Sequence, residues 1–232
     1  MPLPDRIVCT GKFFLDIYIK HGAPRERLVL GPALRFNNLI SKCEKDQGDS
    51  SLKVFKKNRI LIVLPLAEPD ALELAIKSSE ATKLLSANWE LKIGLKPHPM
   101  MSVKNLETIK SFFDDVKCDM EIIDKPMDEV LPQYSLLITM ASGVIFDGMI
   151  EGLPVIRVGR SHSLNFDPAD YMGSNPYDFR AQTVEQLNTL ICKLLLFDDE
   201  ERMGVLNYGR EFVKESFTPV NEDTLQSFIS TN

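Results

Sequence analysis

The sequence predicts an α/β fold: a doubly wound parallel sheet followed by a helical C-terminal tail. Short apolar runs alternate with segments whose apolar residues recur at helical spacing, and the connections between them are short. This alternation is typical of a doubly wound parallel sheet, in which helices cover both faces. The patterns after residue 184 are helical only, and they predict the tail.

Composition narrows the class of protein. The chain has 232 residues, 44% of them hydrophobic and 26% charged, which are ordinary values for a globular protein. A formal net charge of -6 argues against nucleic-acid binding, because phosphate contacts need a basic surface. The four cysteines lie far apart without a CxxC pair, which indicates reduced thiols rather than disulfides or a zinc site. No apolar run is long enough for a membrane span, and residues 1–6 lack signal-peptide features, so we expect a cytoplasmic protein.

The first part of the chain predicts one strand–helix unit. Residues 6–10 form the expected strand and residues 13–21 the expected helix, which Gly22 and Pro24 end. An apolar run follows at residues 28–30. Residues 41–58 are rich in charged and small polar residues, so we expect a loop or linker there. The predicted division of the chain is therefore 1–40, 41–58 and 59–232.

The longer second part predicts the sheet itself. The expected strands cover residues 60–64, 89–95, 120–123, 135–139, 154–158 and, at the sheet edge, 179–182. The expected helices cover residues 68–85, 103–116, 127–131, 144–150, 184–197, 200–216 and 223–229. In the first of these helices we expect Leu72, Ala75, Ile76 and Leu84 to face the sheet.

Ligands of such sheets bind at the carboxyl ends of the strands, and the loop after residue 95 places polar side chains there. It reads Lys96-Pro97-His98-Pro99, in which two prolines fix the backbone on either side of His98. A lysine point charge beside a histidine hydrogen-bond donor suits a phosphate. The alternative is a plain loop whose prolines only end the strand.

The loop after residue 139 offers a second anion site. Ser142 and Gly143 come just before a predicted helix, where a hydroxyl, free amides and the helix dipole favour phosphate. Ser142 could equally serve only as a helix N-cap. Asp147 and Glu151 lie one turn apart on that helix, and we favour Asp147 as the carboxylate that accepts the hydroxyls of a ribose. Both carboxylates could instead be solvated.

Two further stretches are weaker candidates. The loop of residues 159–163 is polar and flexible enough to reach a ligand, and residues 165–168 read as a turn. Arg35 follows a glycine-bounded turn and could reach a phosphate. No P-loop, GxGxxG, HExxH, GxSxG or Asp-x-Asp pattern is present, so we expect no metal and no bound cofactor.

These motifs resemble those of one enzyme class. The stretch from Lys96 to Pro99 is similar to the His-Pro motif of bacterial sialyltransferases and capsular Kdo transferases, and to a motif of UDP-N-acetylglucosamine 2-epimerases. Phe146-Asp147-Gly148-Met149-Ile150-Glu151-Gly152-Leu153-Pro154-Val155-Ile156 resembles the Glu-Ala-x-x-x-Gly-x-Pro-Val-Ile segment of GT-B glycosyltransferases. Asp147 stands where that family has a ribose-binding glutamate, so a shorter arm must reach the ribose.

The resemblance implies the Rossmann-like, donor-binding C-terminal half of a GT-B glycosyltransferase. Lys96, His98, Ser142 and Gly143 would contact the donor phosphates, Asp147 the ribose, and the donor would be a CMP- or UDP-linked sugar. Residues 1–40 would then be a remnant of an N-terminal GT-B domain and hinge. The acceptor would be a glycan or a lipid-linked glycan of surface polysaccharide synthesis, which leaves peripheral contact with the inner face of the membrane open.

Other functions remain in competition with sugar transfer. A sugar-nucleotide 2-epimerase and a CDP-glycerol glycerophosphotransferase use similar architecture, although an epimerase needs more carboxylates around the sugar. A non-catalytic nucleotide-binding domain is the alternative from another class. The catalytic base is not identified, because in the resembling family it usually belongs to the N-terminal domain.

Overall fold

The structure, a computed structural model, describes residues 4–45, 57–85, 89–162 and 167–228. The chain divides into two compact units. Residues 52–207 form one, here the sheet unit, and residues 1–51 with 208–232 form the other, here the end unit. The division expected from sequence placed residues 59–232 together, whereas the stretch from residue 208 onward groups with the beginning of the chain.

The helices and strands follow the predicted alternation closely. The strands are β1 (Ile7–Cys9), β2 (Leu28–Leu30), β3 (Arg59–Val63), β4 (Leu91–Lys96), β5 (Cys118–Ile122), β6 (Leu136–Thr139), β7 (Val155–Val158) and β8 (Phe179–Ala181). The helices are α1 (Lys12–Lys20), α2 (Asn37–Lys45), α3 (Glu68–Leu85), α4 (Val103–Ser111), α5 (Met127–Val130), α6 (Val144–Met149), α7 (Val184–Leu195), α8 (Asp199–Ser216) and α9 (Glu222–Leu225). The expected helical tail is present.

The sheet unit is built on a parallel sheet of six strands in the order β5-β4-β3-β6-β7-β8. The central strands are apolar on both faces: Ile60, Leu61 and Ile62 of β3 are completely buried. Helices on both sides require such runs, because neither face of the sheet meets water. The predicted doubly wound parallel sheet is therefore confirmed, with β8 as its expected edge strand.

Helix α3 packs on the sheet with a different face from the one expected. Ala75 is buried and Leu72 is partly buried against the core, but Ile76 and Leu84 are 39% and 61% exposed. The buried face instead consists mainly of small side chains, among them Ala71, Ala75, Ser78 and Ala81. Small residues allow a helix to approach its neighbours closely, so the larger apolar residues do not mark the inner face here.

Helix α7 lies against α3 and begins with a capping box. The Thr183 side chain accepts a hydrogen bond from the amide of Gln186, whose own side chain accepts one from the backbone amide of Thr183. These reciprocal bonds satisfy two amides that a helix start leaves without partners. Further along α7, the Asn188 side chain donates to the carbonyl of Ala81 at 2.9 Å and ties α7 to α3.

Tyr134 packs directly on β4 at Gly94. A Cβ atom on Gly94 would lie 2.5 Å from the Cζ and 2.8 Å from the Cε1 of Tyr134, closer than real contacts allow. Tyr134 is only 2% exposed, and its hydroxyl donates to Glu121 of β5 at 2.9 Å. Burial and this hydrogen bond raise the pKa of the Tyr134 phenol. The glycine therefore makes room for a buried, hydrogen-bonded ring.

The end unit contains the parallel pair β1–β2 and a cluster of phenylalanines. Phe217 stacks on Phe36 with ring centroids 4.4 Å apart, and Phe13 meets Phe212 edge to face at 5.1 Å. The amide of Ala33 donates to the carbonyl of Thr218 at 2.8 Å. These contacts explain why residues from 208 onward belong with the beginning of the chain.

The loop or linker expected at residues 41–58 is wrong in its first part, because α2 continues to Lys45. Leu39, Ile40 and Cys43 are buried at helical spacing, which gives α2 an apolar face despite its polar composition. Residues 57–58 form a turn, and 46–56 lie outside the described residues. The prediction that a linker separates two domains at residues 46–58 stays a prediction.

Candidate nucleotide site at the carboxyl edge of the sheet

The strand order creates a switch point between β3 and β6. From β3 the chain fills one half of the sheet through β4 and β5, and from β6 it fills the other half through β7 and β8. The connections on the two sides of such a point diverge and leave a crevice at the carboxyl ends of the strands. The loops after β4, β6 and β7 all lie at this edge, because all the strands of the sheet are parallel.

Lys96 is the last residue of β4 and is held in register with Val63 of β3. The amide of Leu64 donates to the carbonyl of Lys96 at 2.9 Å, which extends the ladder to the crevice. The Lys96 ammonium donates to the carbonyl of Lys125, in the loop after β5, at 2.6 Å. This bond uses one of the three ammonium donors and turns the charge toward the β5 side of the crevice.

His98 is half-buried in the loop after β4. The Met100 amide donates to its Nδ1 at 3.2 Å, and the Met101 amide donates to its carbonyl at 2.9 Å. Since Nδ1 accepts, the neutral imidazole carries its proton on Nε2. The bond to Nδ1 therefore orients the ring and leaves Nε2 as its donor, which suits the predicted phosphate role.

The loop after β6 makes an unusual turn at Ala141, whose φ of 38° lies in the left-handed region. Gly143 is the N-cap of α6, and Ser142 precedes it with its Oγ 3.4 Å from the Val144 amide, which donates to it. Helix α6 has only six residues, so its dipole is weaker than the predicted helix would supply. The groups of this loop that can donate hydrogen bonds to an anion are therefore the Ser142 hydroxyl and the backbone amides.

Asp147 and Glu151 differ in their access to the crevice. Helix α6 lies close to the sheet, because a Cβ on Gly148 would come within 2.8 Å of Leu137 and 2.9 Å of Val155. Asp147, beside this glycine, is partly exposed, whereas Glu151 is only 8% exposed in the turn after α6. Of the two carboxylates, Asp147 is the more accessible to a ligand.

The sheet brings together the loops that sequence analysis singled out. β4 and β6 both neighbour β3, so the strands that carry His98 and Ser142 are two strand spacings apart, about 10 Å. That separation suits a nucleotide that spans the switch point. Arg35 lies in the end unit, exposed and with its guanidinium 5.5 Å from the ring centroid of Phe36, and its predicted phosphate contact stays a prediction.

The loop after β7 is tied to α3 rather than flexible through its first residues. Lys77 donates to the Gly159 carbonyl at 2.9 Å and to the Ser161 hydroxyl at 3.0 Å, and Arg160 donates to Asp70 at 2.9 Å. The Ser161 amide donates to Glu73 at 2.8 Å. The predicted turn at 165–168 falls partly on residues 163–166, which lie outside the described residues.

Ionic contacts on α3 complete this attachment. Glu73 pairs with Lys77 at 2.7 Å, and Nδ1 of His162 lies 2.9 Å from Glu73. Burial raises the pKa of Glu73, but the hydrogen bonds from Lys77 and Ser161 outweigh it and hold that pKa below its ordinary value. Sequence reasoning missed Asp70 and Glu73, although the spacing of Glu73 and Lys77 is that of a helical ion pair.

Sequence reasoning also missed a buried arginine in β7. Arg157 is only 6% exposed and donates to Asp167 at 2.6 Å, to Asp170 at 2.8 Å and to Asp178. Burial lowers the pKa of Arg157, but its hydrogen bonds to Asp178, Asp170 and Asp167 outweigh burial and raise it. A charged residue inside the apolar run of residues 155–158 was the one signal for this cluster, since its aspartates show no regular spacing.

Two concavities flank the sheet at opposite edges. The smaller one, about 90 Å³, opens at the carboxyl edge among the loops after β6, β7 and β8. The larger one, about 690 Å³, lies at the amino edge near Arg59, Leu91 and Cys118. Its edge is opposite to the crevice at which ligands of such sheets bind, so the carboxyl-edge site is the better candidate. Within the described ranges, no helix is both long and apolar enough to cross a membrane.

Comparisons with solved structures agree with this architecture. A mutant of TarM from S. aureus, in complex with fondaparinux, alpha-GlcNAc-glycerol and UDP, matches with a TM-score of 0.61 and 12% identity over 97% of this chain and 43% of TarM. HepE from Anabaena in complex with UDP-glucose matches with a TM-score of 0.62 and 10% identity over 98% of this chain and 63% of HepE.

UDP-GlcNAc 2-epimerase from Neisseria meningitidis, bound to UDP-GlcNAc, matches with a TM-score of 0.53 and 10% identity over 97% of this chain and 59% of the epimerase. This chain therefore spans less than two thirds of the length of these neighbours. No family model matches the sequence, and no curated protein matches it. At such low identities the likeness shows the fold alone, and that fold is the Rossmann-like architecture of GT-B proteins.

Proposed function

We propose that the chain binds a nucleotide-linked sugar at the carboxyl edge of the sheet and serves as the donor-binding part of a GT-B-type glycosyltransferase. One observation carries the proposal: the His98 and Ser142 loops follow the two strands that flank β3, beside the switch point. The fold neighbours support it, because TarM and HepE were solved with UDP and UDP-glucose.

The proposed roles follow from the chemistry of each group. The Nε2–H of His98 and the hydroxyl and amides of the Ser142–Gly143 loop would donate to the donor phosphates, and Lys96 would add positive charge. Asp147 would accept hydrogen bonds from the ribose hydroxyls. These donors would stabilise charge on the phosphate as it leaves the sugar, which is how preorganised groups lower a barrier without a metal ion.

The wider setting is part of the proposal. The acceptor would be a glycan or a lipid-linked glycan of surface polysaccharide synthesis, on the strength of the sequence resemblance. An N-terminal GT-B domain, in this chain or another, would supply the acceptor side and the catalytic base. Activity that persists in EDTA would support transfer without a metal, and loss of activity that Mg²⁺ restores would contradict it.

Calorimetry with CMP, CDP and UDP tests the binding site. We expect at least one nucleotide to bind, and His98→Ala to weaken its binding about tenfold, which is about 1.4 kcal/mol. His21→Ala, an exposed histidine of the end unit, is the matched control and should leave the affinity unchanged. Equal affinities for wild type and His98→Ala would refute the phosphate role.

The ribose role of Asp147 has its own test. Asp147→Asn should weaken a ribonucleotide several-fold and leave the 2′,3′-dideoxy form of the same nucleotide unaffected, because the dideoxy form lacks the hydroxyls that the carboxylate accepts. The same loss for both nucleotides would place Asp147 outside the ribose site.

Two alternative functions, epimerisation and nucleotide binding without catalysis, can each be distinguished by an assay. The epimerase alternative has a fold neighbour solved with UDP-GlcNAc, so conversion of UDP-GlcNAc to its 2-epimer by this chain would favour that activity. Nucleotide binding without transfer or epimerisation, also after addition of a separate acceptor-side domain, would favour a non-catalytic binding domain.

A further inference from the structure

The small pocket at the carboxyl edge lies directly beside the proposed phosphate site. It has a volume of about 90 Å³, and its walls include Ala141 from the loop after β6, Gly159 after β7 and Gln182 after β8. Ala141 immediately precedes Ser142 in the chain. A group joined to a phosphate at Ser142 would therefore reach this pocket. The volume of the pocket is about that of three water molecules, or of two to three carbon atoms that each carry a hydroxyl.

The charged groups in the pocket wall balance one another. Arg157 and Arg180 contribute positive charge, and Asp167 and Asp170 contribute negative charge. Arg157 and Asp167 are 6% and 8% exposed, and Arg157 donates to both aspartates, so the charges are paired and fixed. Such a wall offers donors and acceptors without net charge, which suits neutral hydroxyls better than a carboxylate or a phosphate.

Gln182 brings polar groups to this pocket that the fold itself does not use. In the part of the chain that the structure describes, no group hydrogen-bonds the Gln182 carboxamide; only its backbone amide is engaged, donating to Gln186 at 2.8 Å. The carboxamide lies over Gly159, and a Cβ on Gly159 would overlap it. The absence of a side chain at Gly159 therefore creates the place in which the carboxamide lies.

From these observations we infer that this pocket is part of the subsite for the transferred group of the donor, that it takes some of the hydroxyls of a neutral sugar or polyol, and that Gln182 is a specificity-determining residue within it. The inference rests on the proposed function, since the nucleotide must bind at Ser142 for its sugar to reach Gln182. The carboxamide can donate to one hydroxyl and accept from another, whereas the carboxylate of an acidic sugar would enter a pocket whose positive charges are already paired with aspartates.

Calorimetry on the full chain tests the subsite with pairs of probes: UDP against UDP-glucose, and CDP against CDP-glucose. For the nucleotide that binds, we expect the sugar to add about fivefold in affinity, the amount that one net hydrogen bond contributes. Gln182→Leu should abolish this gain and leave the affinity for the bare nucleotide unchanged. Gly159→Ala, which displaces the carboxamide, should reduce the gain as well. UDP-glucuronate should bind no better than UDP.

The control and the outcomes separate this inference from the proposed function. Gln133→Leu is the matched control, because Gln133 precedes β6 at the opposite edge of the sheet, and it should keep the gain. If neither UDP nor CDP binds the wild type, the proposed function fails and the subsite fails with it. If a nucleotide binds but the sugar adds nothing, or Gln182→Leu keeps the full gain, only the subsite is refuted. Tighter binding of UDP-glucuronate than of UDP-glucose would refute the preference for a neutral sugar.

Discussion

Removal of Arg157 should destabilise the sheet unit strongly. The substitution Arg157→Met keeps an apolar stem of similar length in β7 but leaves Asp167, Asp170 and Asp178 without their shared guanidinium. Loss of one partner from a buried ion pair costs about 3–5 kcal/mol, because the remaining charge stays buried. Arg180 still pairs with Asp170 at 2.9 Å and with Asp178 at 2.8 Å. The unpaired charge therefore falls mainly on Asp167, and we expect a loss near 3 kcal/mol.

Urea and thermal unfolding measure this loss. The chain has one tryptophan, Trp89, which belongs to the sheet unit, so its fluorescence reports the unfolding of the unit that carries Arg157. A loss of about 3 kcal/mol corresponds to a fall in Tm of roughly 6–12 °C for a protein of this size. Arg180→Met is the matched control, because Arg180 pairs with two of the same aspartates but its side chain is 43% exposed. It should cost less than about 1 kcal/mol.

Two further measurements decide whether unpaired charge is the cause. In the Arg157→Met variant, the further substitution Asp167→Asn removes the carboxylate that has lost its partner, so it should recover part of the lost stability. In the wild type the same substitution should destabilise the protein. Acidification below pH 3.8 should also narrow the gap between wild type and Arg157→Met. Burial raises the pKa of Asp178, but Arg180 and Arg157 hold it below its ordinary value, so this contribution to the stability of the wild type is lost as the pH falls through that lower pKa. Equal losses for Arg157→Met and Arg180→Met, or no recovery by Asp167→Asn, would refute this explanation.

Further predictions concern packing and acid stability. Gly94→Ala should destabilise the sheet unit by about 1–3 kcal/mol, because the new methyl group overlaps the buried Tyr134 ring. Urea unfolding measures this loss, and an unchanged unfolding midpoint would contradict the close packing of Tyr134 on Gly94. The pKa of Glu73 is held below its ordinary value, so its contribution to stability is complete above pH 4.5 and is lost as the pH falls through the lower pKa of the folded state. A Glu73→Gln variant should therefore lose stability less steeply than wild type below pH 4.5, and parallel pH profiles would refute this.

The strands and helices of the sheet unit could be predicted from the local sequence pattern, but the buried face of a helix could not always be predicted. The apolar run of residues 60–64 predicted its strand, because a strand covered on both faces needs apolar residues throughout. In α3 the spacing of the large apolar residues predicts that Ile76 and Leu84 are buried, but both are exposed, because the buried face consists mainly of small side chains. In α2 the polar composition hid an apolar face of only a few residues.

The candidate site was predictable only in part, for a related reason. His98, Ser142 and Asp147 were singled out because they follow predicted strands, and the strand order then placed their loops around one switch point. The Arg157 cluster and the attachment of residues 159–162 to α3 join residues far apart in sequence. No local pattern encodes such contacts, because they depend on which strands become neighbours.

The three ion pairs of Arg157 determine which parts of the connection between β7 and β8 can be altered. One guanidinium anchors this connection at Asp167, Asp170 and Asp178, so a change of length or composition between two anchors need not disturb the sheet beneath. Two of these anchors, Asp167 and Asp170, also border the pocket in which Gln182 lies. The connection between β7 and β8 can therefore be re-engineered without loss of strand packing, provided the arginine and its aspartates are kept.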